Sequence, residues 1–250
     1  MKNIYTFKNL SNKNNCQHLV SQKEKSAPHS FSLALHTKEN PSDILKNRNH
    51  FSQHFPNTKF IVANQIHSAN IYIVSKNEEL GWDSLDNAIE NSDALITNQQ
   101  NIMLTILTAD CVPILLFDPK QKVVAAVHAG WKGTKKEILF KTIQKMQETF
   151  NSKPKDILAG IAPSIGKCCY EVDWNVAQHF KLIKSAYDEK AEKYMLDLPY
   201  INKLQLLRAG LEEENIEMSN VCTACEVEHY FSYRKEGGCS GRFMSMIGLR

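Results

Sequence analysis

TADCVPILLFDPKQKVVAAVHAGWKGT, residues Thr108–Thr134, decides how the chain is read. Two runs rich in Val, Ile and Leu, 112–118 and 122–127, flank AspProLysGln, where Pro119 presets the backbone for the second position of a type I turn. The pattern predicts a β-hairpin. Cys111 and His128 stand equally far from the centre of that turn. An unbulged antiparallel register therefore makes them direct cross-strand neighbours on one face, with Cβ atoms roughly 4.5–5.5 Å apart. That separation suits two ligands of one metal ion, or a nucleophile and its base. A lone cysteine in a core, or a lone histidine at a strand end, is ordinarily structural. The mirrored placement, with Asp110 beside the cysteine and glycines beside the histidine, points instead to a shared site. A one-residue bulge would separate the pair.

Downstream of His128 the chain reads AlaGlyTrpLysGlyThr and then becomes amphipathic. Ile138, Leu139, Ile143, Met146 and Phe150 share one helical face, and Thr134 with Glu137 matches a capping box, which predicts a helix over 134–150. A strand, glycine turn and helix in that order form a candidate anion site, because helix N-termini expose unpaired N–H groups and Gly130 and Gly133 let the backbone come close. Phosphate is the obvious anion, although the P-loop spacing is absent.

Upstream, Lys59–Ile66, Asn70–Val74, Asp93–Thr97 and Ile102–Ala109 carry strand character, and His67, Ser68 and Ala69 fall between the first two. Phe31–His36 also reads as a short strand, followed by a helix opening near Pro41. Further helices are expected over 174–186 and 200–214. Residues 1–30 are rich in Asn, Lys and Ser and are expected to be a loosely ordered N-terminal segment, with an edge strand at Ile4–Phe7 as its one regular feature. With no internal repeat or linker, residues 31–250 are expected to form one domain.

The 250 residues hold 30 Lys and Arg against 27 Asp and Glu, interspersed, so nothing asks for a nucleic-acid partner. No run approaches the roughly eighteen apolar residues of a spanning helix and the amino terminus lacks an apolar leader core, so a cytoplasmic protein without a membrane partner is expected. Seven cysteines, odd in number and irregular in spacing, fit reduced thiols better than a disulfide framework. Cys222 and Cys225 form one CxxC, which Cys239, Cys168 or Cys169 would extend toward four zinc ligands; structural thiols are the preferred reading. Arg234, Lys235 and Arg242 lie in a glycine-punctuated loop and are candidate phosphate ligands.

Taken in order, AsnGlnIleHis (64–67), SerAspAlaLeuIleThrAsn (92–98), LeuThrAlaAspCysValProIleLeuLeuPheAspPro (107–119), ValHisAlaGlyTrpLysGlyThr (127–134) and IleAlaProSerIleGlyLysCysCysTyrGluVal (161–172), with PheSerTyrArg and SerGlyArg near the end, resemble the motifs of the laccase-domain purine nucleoside phosphorylases. The resemblance spans residues 31–249. It implies a mixed α/β (α+β) fold of facing mixed β-sheets with helices packed outside. It also implies a zinc site of His67, Cys111 and His128, the first of which spacing alone did not supply. Three protein ligands leave one position open, as in catalytic rather than structural zinc. The implied activities are phosphorolysis of adenosine, inosine and S-methyl-5'-thioadenosine, and deamination of adenosine, with a purine nucleoside and inorganic phosphate as partners.

Cys111, His128 and Asp110 are then the expected catalytic residues, Asp110 as a carrier of protons. Arg48, Gln65, Asp93, Gly130, Lys132, Arg234 and Arg242 are the expected substrate and phosphate contacts. The HxE and PCxxC signature of the common zinc deaminases is absent, so deamination implies a different site design. Three departures from the family pattern bear on substrate preference: PheSerLeuAlaLeuHisThrLysGlu lacks an expected glycine, Lys132 stands where Arg is frequent, and IleGlyLeu near the end replaces a common aromatic.

Three other readings compete. Copper-dependent polyphenol oxidation is one, but multicopper sites consume close HxH pairs and the nine histidines contain none, which leaves copper as an alternative metal at the same three ligands. A metal-free hydrolase with Cys111 activated by His128 is another. A non-catalytic scaffold retaining the pocket is the third.

Overall fold

The long apolar runs form strands because both faces of each are covered. The computed structural model describes residues 4–12, 15–190, 193–238 and 240–250. Its five-stranded sheet has the order β1 (Ile4–Tyr5), β2 (Cys16–Ser21), β14 (Phe243–Leu249), β6 (Ile102–Thr108) and β3 (Lys59–Ile61). The six-stranded sheet runs β13 (Ile216–Met218), β9 (Leu158–Ile161), β7 (Val112–Asp118), β8 (Val123–Ala129), β5 (Ala94–Thr97) and β4 (Ile71–Ile73). Both sheets are mixed: β3 is parallel to β6, β4 to β5 and β13 to β9, while the other neighbours are antiparallel. A smaller sheet of β10 (Glu171–Val172), β12 (Lys193–Leu196) and β11 (Tyr187–Lys190) is inserted in sequence between β9 and β13.

The period of two along each strand sorts side chains into layers. Leu104 and Ile106 of β6 and Phe243 and Ile247 of β14 meet Leu115 and Phe117 of β7 and Val124 and Ala126 of β8 between the sheets. On the far side of the six-stranded sheet, Ile114, Leu116, Ala125 and Val127 pack with Ile138, Leu139, Ile143 and Met146 of α4 (Ile138–Phe150) and with Leu198, Ile201 and Leu206 of α6 (Leu198–Arg208). On the far side of the five-stranded sheet, Met103, Leu107 and Met246 meet Phe51 of α2 (Pro41–Ser52), with Phe55, Phe60 and Trp82 alongside. The architecture is therefore the facing sheets with outer helices that the family resemblance implies. Among the described residues, no helix is long and apolar enough to cross a membrane.

Several local expectations are corrected. Cys16–Ser21 is not loosely ordered: it lies between β1 and β14, and Leu19 and Val20 are buried on opposite faces of the sheet. Its polar neighbours masked that pattern, because Ser21 and His18 are themselves buried and hydrogen-bonded, to the Met244 and Phe7 N–H groups. Phe31–His36 is not a strand; Ser30 and Phe31 adopt positive φ, and the Ser32 and Leu33 carbonyls accept from Asn47 and Arg48 instead of from a neighbouring strand. The helix expected over 134–150 is broken into α3 (Trp131–Lys135) and α4, with Glu137 left-handed between them. No capping box forms, since the Thr134 hydroxyl accepts from Asn202 of α6 and the Glu137 carboxylate pairs with Arg208. Helix over 174–186 is confined to α5 (Trp174–Ala177) and a 3-10 turn at Lys184–Ala186.

Candidate metal centre and pocket

The opening hairpin forms, but two residues out of the expected register. Asp118 pairs with Val123 and Pro113 with His128. The Asp118 carboxylate accepts from the N–H groups of Lys120 and Gln121, and Lys122 turns left-handed, so the connection is four residues long instead of two. A two-residue shift preserves the face, whereas a one-residue slip reverses it. Cys111 and His128 therefore share a face as diagonal rather than direct neighbours, at the end of the sandwich.

Cys111 lies one step beyond the Val112–Ala129 pair, opposite Gly130. A Cβ on Gly130 would stand 3.0 Å from Cys111 Sγ and 3.0 Å from His67 Cδ2. The glycine lets the two ligand-bearing segments meet. Gly133 similarly lets the chain close on the Ser68 carbonyl, which a Cβ would approach to 3.2 Å.

His67, left-handed at φ 60°, brings the third group from the loop after β3. Its Nε2 lies 3.8 Å from Cys111 Sγ, its ring meets that of His128 edge to face at 4.8 Å between centroids, and the three ligand atoms lie within 4.8 Å of one another. A tetrahedral zinc with ordinary Zn–S and Zn–N bonds separates such atoms by about 3.6 Å. The donor set and spacing thus fit a zinc ion, with His67, Cys111 and His128 as the residues to hold it.

Asp93 organises this cluster from behind. Its carboxylate is fully buried and accepts from the N–H groups of Ile66, His67 and Ser68, from Ser68 Oγ at 2.6 Å, and from His128 Nδ1 at 2.7 Å. With Nδ1 taken, His128 presents Nε2 to the cluster, the carboxylate–histidine arrangement that orients metal ligands. The expected substrate contact at Asp93 is therefore corrected to a positioning role. Burial alone would raise the Asp93 carboxyl, but its His128 and Ser68 donors hold it far below the usual carboxylate range. Burial also opposes charge on Cys111 and His128, yet each charge favours the other, so the thiol is held down and the imidazole up.

A pocket of about 560 Å³ opens over the cluster. Asp110, Gln65, Lys132, Arg234 and Arg242 are among the residues that line it. Asp110 is in the left-handed region at φ 89°, and its carboxylate accepts from Thr223 Oγ1 at 2.7 Å and the Arg234 N–H at 2.6 Å. Gln65 exchanges two hydrogen bonds with the Leu107 backbone, which fixes that wall. Arg234 donates to the Glu171 carbonyl and lies over the Tyr170 ring, while Arg242 donates to the Ser240 and Gly241 carbonyls.

Arg48 is the second correction. It is fully buried under the five-stranded sheet, donates to the carbonyls of Leu33, Gly81 and Trp82, and lies over the Trp82 ring. It faces no pocket. Sequence reasoning missed His36, Trp131, Tyr170 and Tyr233, which complete the walls. Trp131, Tyr170 and Tyr233 lie inside the motifs that carry the family resemblance, and their aromatic character beside charged residues was the available signal. His36 carried none.

The family model described as "Multi-copper polyphenol oxidoreductase laccase" matches residues 17–250. The chain is 34% identical over 230 residues to "Purine nucleoside phosphorylase YlmD" of Bacillus subtilis (strain 168), across 88% of this chain and 82% of that protein. "Adenosine deaminase RL5", from an unknown prokaryotic organism, is 33% identical over 197 residues, across 75% of this chain and 74% of that one. The crystal structure of Bacillus licheniformis "hypothetical protein YfiH" superposes with a TM-score of 0.93 at 30% identity, over 100% of this chain and 97% of that one. Since the family match embraces the whole six-stranded sheet, the five-stranded sheet from Gln17 onward and every residue of the His67, Cys111 and His128 cluster, the chain belongs to the multi-copper polyphenol oxidoreductase laccase family, whose relatives here include proteins named as purine nucleoside phosphorylases.

Proposed function

We propose that this chain is a zinc-dependent purine nucleoside phosphorylase acting on adenosine, inosine and S-methyl-5'-thioadenosine, and that it deaminates adenosine in the same pocket. The observation that carries this reading is one pocket that joins a His–Cys–His cluster to three cationic side chains and an aromatic wall. The names of the relatives support the same two activities.

Zinc held by His67, Cys111 and His128 would supply a Lewis acid to the pocket. Lys132, Arg234 and Arg242 hold the phosphate by charge-assisted hydrogen bonds, and the Glu171 carbonyl sets the direction of the Arg234 fork. Tyr170, Trp131 and Ile165 offer flat and apolar surface to the purine and exclude water. In phosphorolysis a phosphate oxygen bonds to the anomeric carbon, the glycosidic bond breaks, and its electron pair leaves with the purine, which takes up a proton. Asp110, the carboxylate among the lining residues, would carry that proton, or those moved in deamination. Loss of one charge-assisted contact to phosphate costs about 1.5–3 kcal/mol, so Arg234→Met should raise KM for phosphate roughly 10- to 150-fold.

The test is incubation of the zinc-loaded protein with adenosine, with and without phosphate, with adenine, inosine and hypoxanthine followed by chromatography beside Cys111→Ala. Phosphate-dependent adenine release that disappears in the variant is the expected result. Absence of both free base and inosine refutes the reading. A His₂Cys set also suits copper, in keeping with the family's description, so metal analysis and oxygen uptake with phenols test the oxidase alternative.

A further inference from the structure

A second group of sulfur ligands lies outside the catalytic cluster. The segment after β9 carries Cys168 and Cys169, and the segment after β13 carries Cys222 and Cys225. A parallel bridge between Ser164 and Cys222 joins them, with the Ser164 N–H on the Val221 carbonyl and the Thr223 N–H on the Ser164 carbonyl. Cys225 Sγ lies 3.6 Å from Cys168 Sγ and 3.5 Å from Cys169 Sγ, and all four sulfurs lie within 4.8 Å of one another.

Those distances are far beyond the roughly 2.05 Å of a disulfide. They match the edge of a tetrahedron of zinc–sulfur bonds, about 3.8 Å. The Gly166 N–H donates to Cys222 Sγ at 3.2 Å, as backbone groups do around metal-bound thiolates. A Cβ on Gly166 would stand 3.2 Å from Cys222 Cβ and 3.5 Å from Cys168 Sγ, so a glycine lets the two segments close. Cys239, which the sequence also offered as a fourth ligand, lies outside the described residues, and the two adjacent cysteines supply the set instead.

We propose that Cys168, Cys169, Cys222 and Cys225 form a second, structural metal site that takes zinc as a closed tetrathiolate. Four thiols give up their protons on binding, and no position is left for substrate. The chain then carries two metal centres of different kinds, an open His₂Cys site and a closed Cys₄ site. The second one acts as a staple for the pocket wall. Tyr170 follows Cys169 and lines the pocket, and Thr223 follows Cys222 and donates to Asp110.

The decisive experiment is metal analysis of the full chain after reduction and dialysis against zinc, for wild type, Cys111→Ala and Cys225→Ser. Two zinc ions per chain in wild type and one in each variant are expected. One zinc in wild type with none in Cys111→Ala overturns the proposal, as does a Cys225→Ser protein that keeps two. Should Cys225→Ser not fold, cobalt loading of Cys111→Ala decides: intense ligand-field and thiolate charge-transfer bands of a tetrahedral tetrathiolate are expected, and their absence overturns it. A disulfide among the four cysteines, found by mass spectrometry in protein isolated without reductant and stable to added zinc, would overturn it too. None of these readouts depends on nucleoside turnover, so the purine reading can fail while the Cys₄ site stands.

Discussion

Replacing Asp93 with asparagine tests the reassignment of that residue from substrate contact to organiser. Its Oδ1 accepts from the His67 N–H at 3.0 Å and His128 Nδ1 at 2.7 Å; its Oδ2 accepts from the Ser68 N–H and Ser68 Oγ, each at 2.6 Å. An amide has one acceptor oxygen, so two arrangements exist. If the oxygen stands in for Oδ1, the NH₂ group opposes the Ser68 N–H and loosens the loop that carries His67. If it stands in for Oδ2, the NH₂ group opposes His128 Nδ1, which must then become the acceptor, and the proton moves to the Nε2 that should bind metal. Either way one of three ligands is impaired. Loss of such an orienting partner lowers metal affinity about 10- to 100-fold, or about 1.4–2.8 kcal/mol. Competition for zinc against a chelating dye measures this directly. Asp118→Asn is the control, because that buried carboxylate serves only the hairpin turn and its loss should leave zinc affinity unchanged. Binding by Asp93→Asn within about threefold of wild type would refute the reasoning. The pH dependence gives an independent sign. A depressed carboxyl pKa contributes stability that is present above the ordinary value near 4 and is lost as pH falls toward the folded value. The gap in Tm between metal-free wild type and Asp93→Asn should thus narrow as pH is lowered from about 4 into stronger acid.

Gly130→Ala should lower zinc affinity at least about tenfold with the Asp93 network intact, because the new Cβ meets Cys111 and His67 at once; the same dye competition checks it. In metal-free protein, Cys111 should react with iodoacetamide with a pH midpoint at about 6, well below an ordinary thiol, because only the thiolate attacks and the two histidines favour it over the effect of burial; zinc should protect it. Arg48→Ala should cost about 3 kcal/mol, or roughly 6–12 °C in Tm, by orphaning buried carbonyls, while KM for phosphate in the folded protein stays unchanged. A phosphate KM raised as far as in Arg234→Met would restore Arg48 to the pocket.

What the sequence made legible follows from the range of each interaction. The strands were readable because burial on both faces leaves continuous apolar runs such as Ile102–Thr108 and Val112–Asp118. The shared face of Cys111 and His128 was readable because parity along a strand survives a two-residue error in the loop. Their true offset was not, since it depends on Lys122 turning left-handed and on Asp118 capping the turn. The break at Glu137 was invisible for a similar reason: Thr134 spends its hydroxyl on Asn202 and its carbonyl on Gln205, partners about seventy residues away that outweigh a local capping signal.

The charged residues show the same division more sharply. Type and motif identified Asp93, Asp110, Arg48 and Arg234 as chemically important, but only the strand pairing gives each an address. β5 pairs with β8 so that Ala94 opposes Val127, which sets Asp93 against His128, whose N–H donates to the Asp93 carbonyl at 2.7 Å. That pairing links segments 35 positions apart, and no local pattern announces it. Arg48, on a helix beneath the other sheet, meets carbonyls from two loops. The four clustered cysteines follow suit, for the Ser164–Cys222 bridge, not the CxxC spacing, selects Cys168 and Cys169 as their companions. A motif thus names the atoms that can do chemistry, and the long-range ladders decide which of them face the pocket, which face one another, and which hold the walls in place.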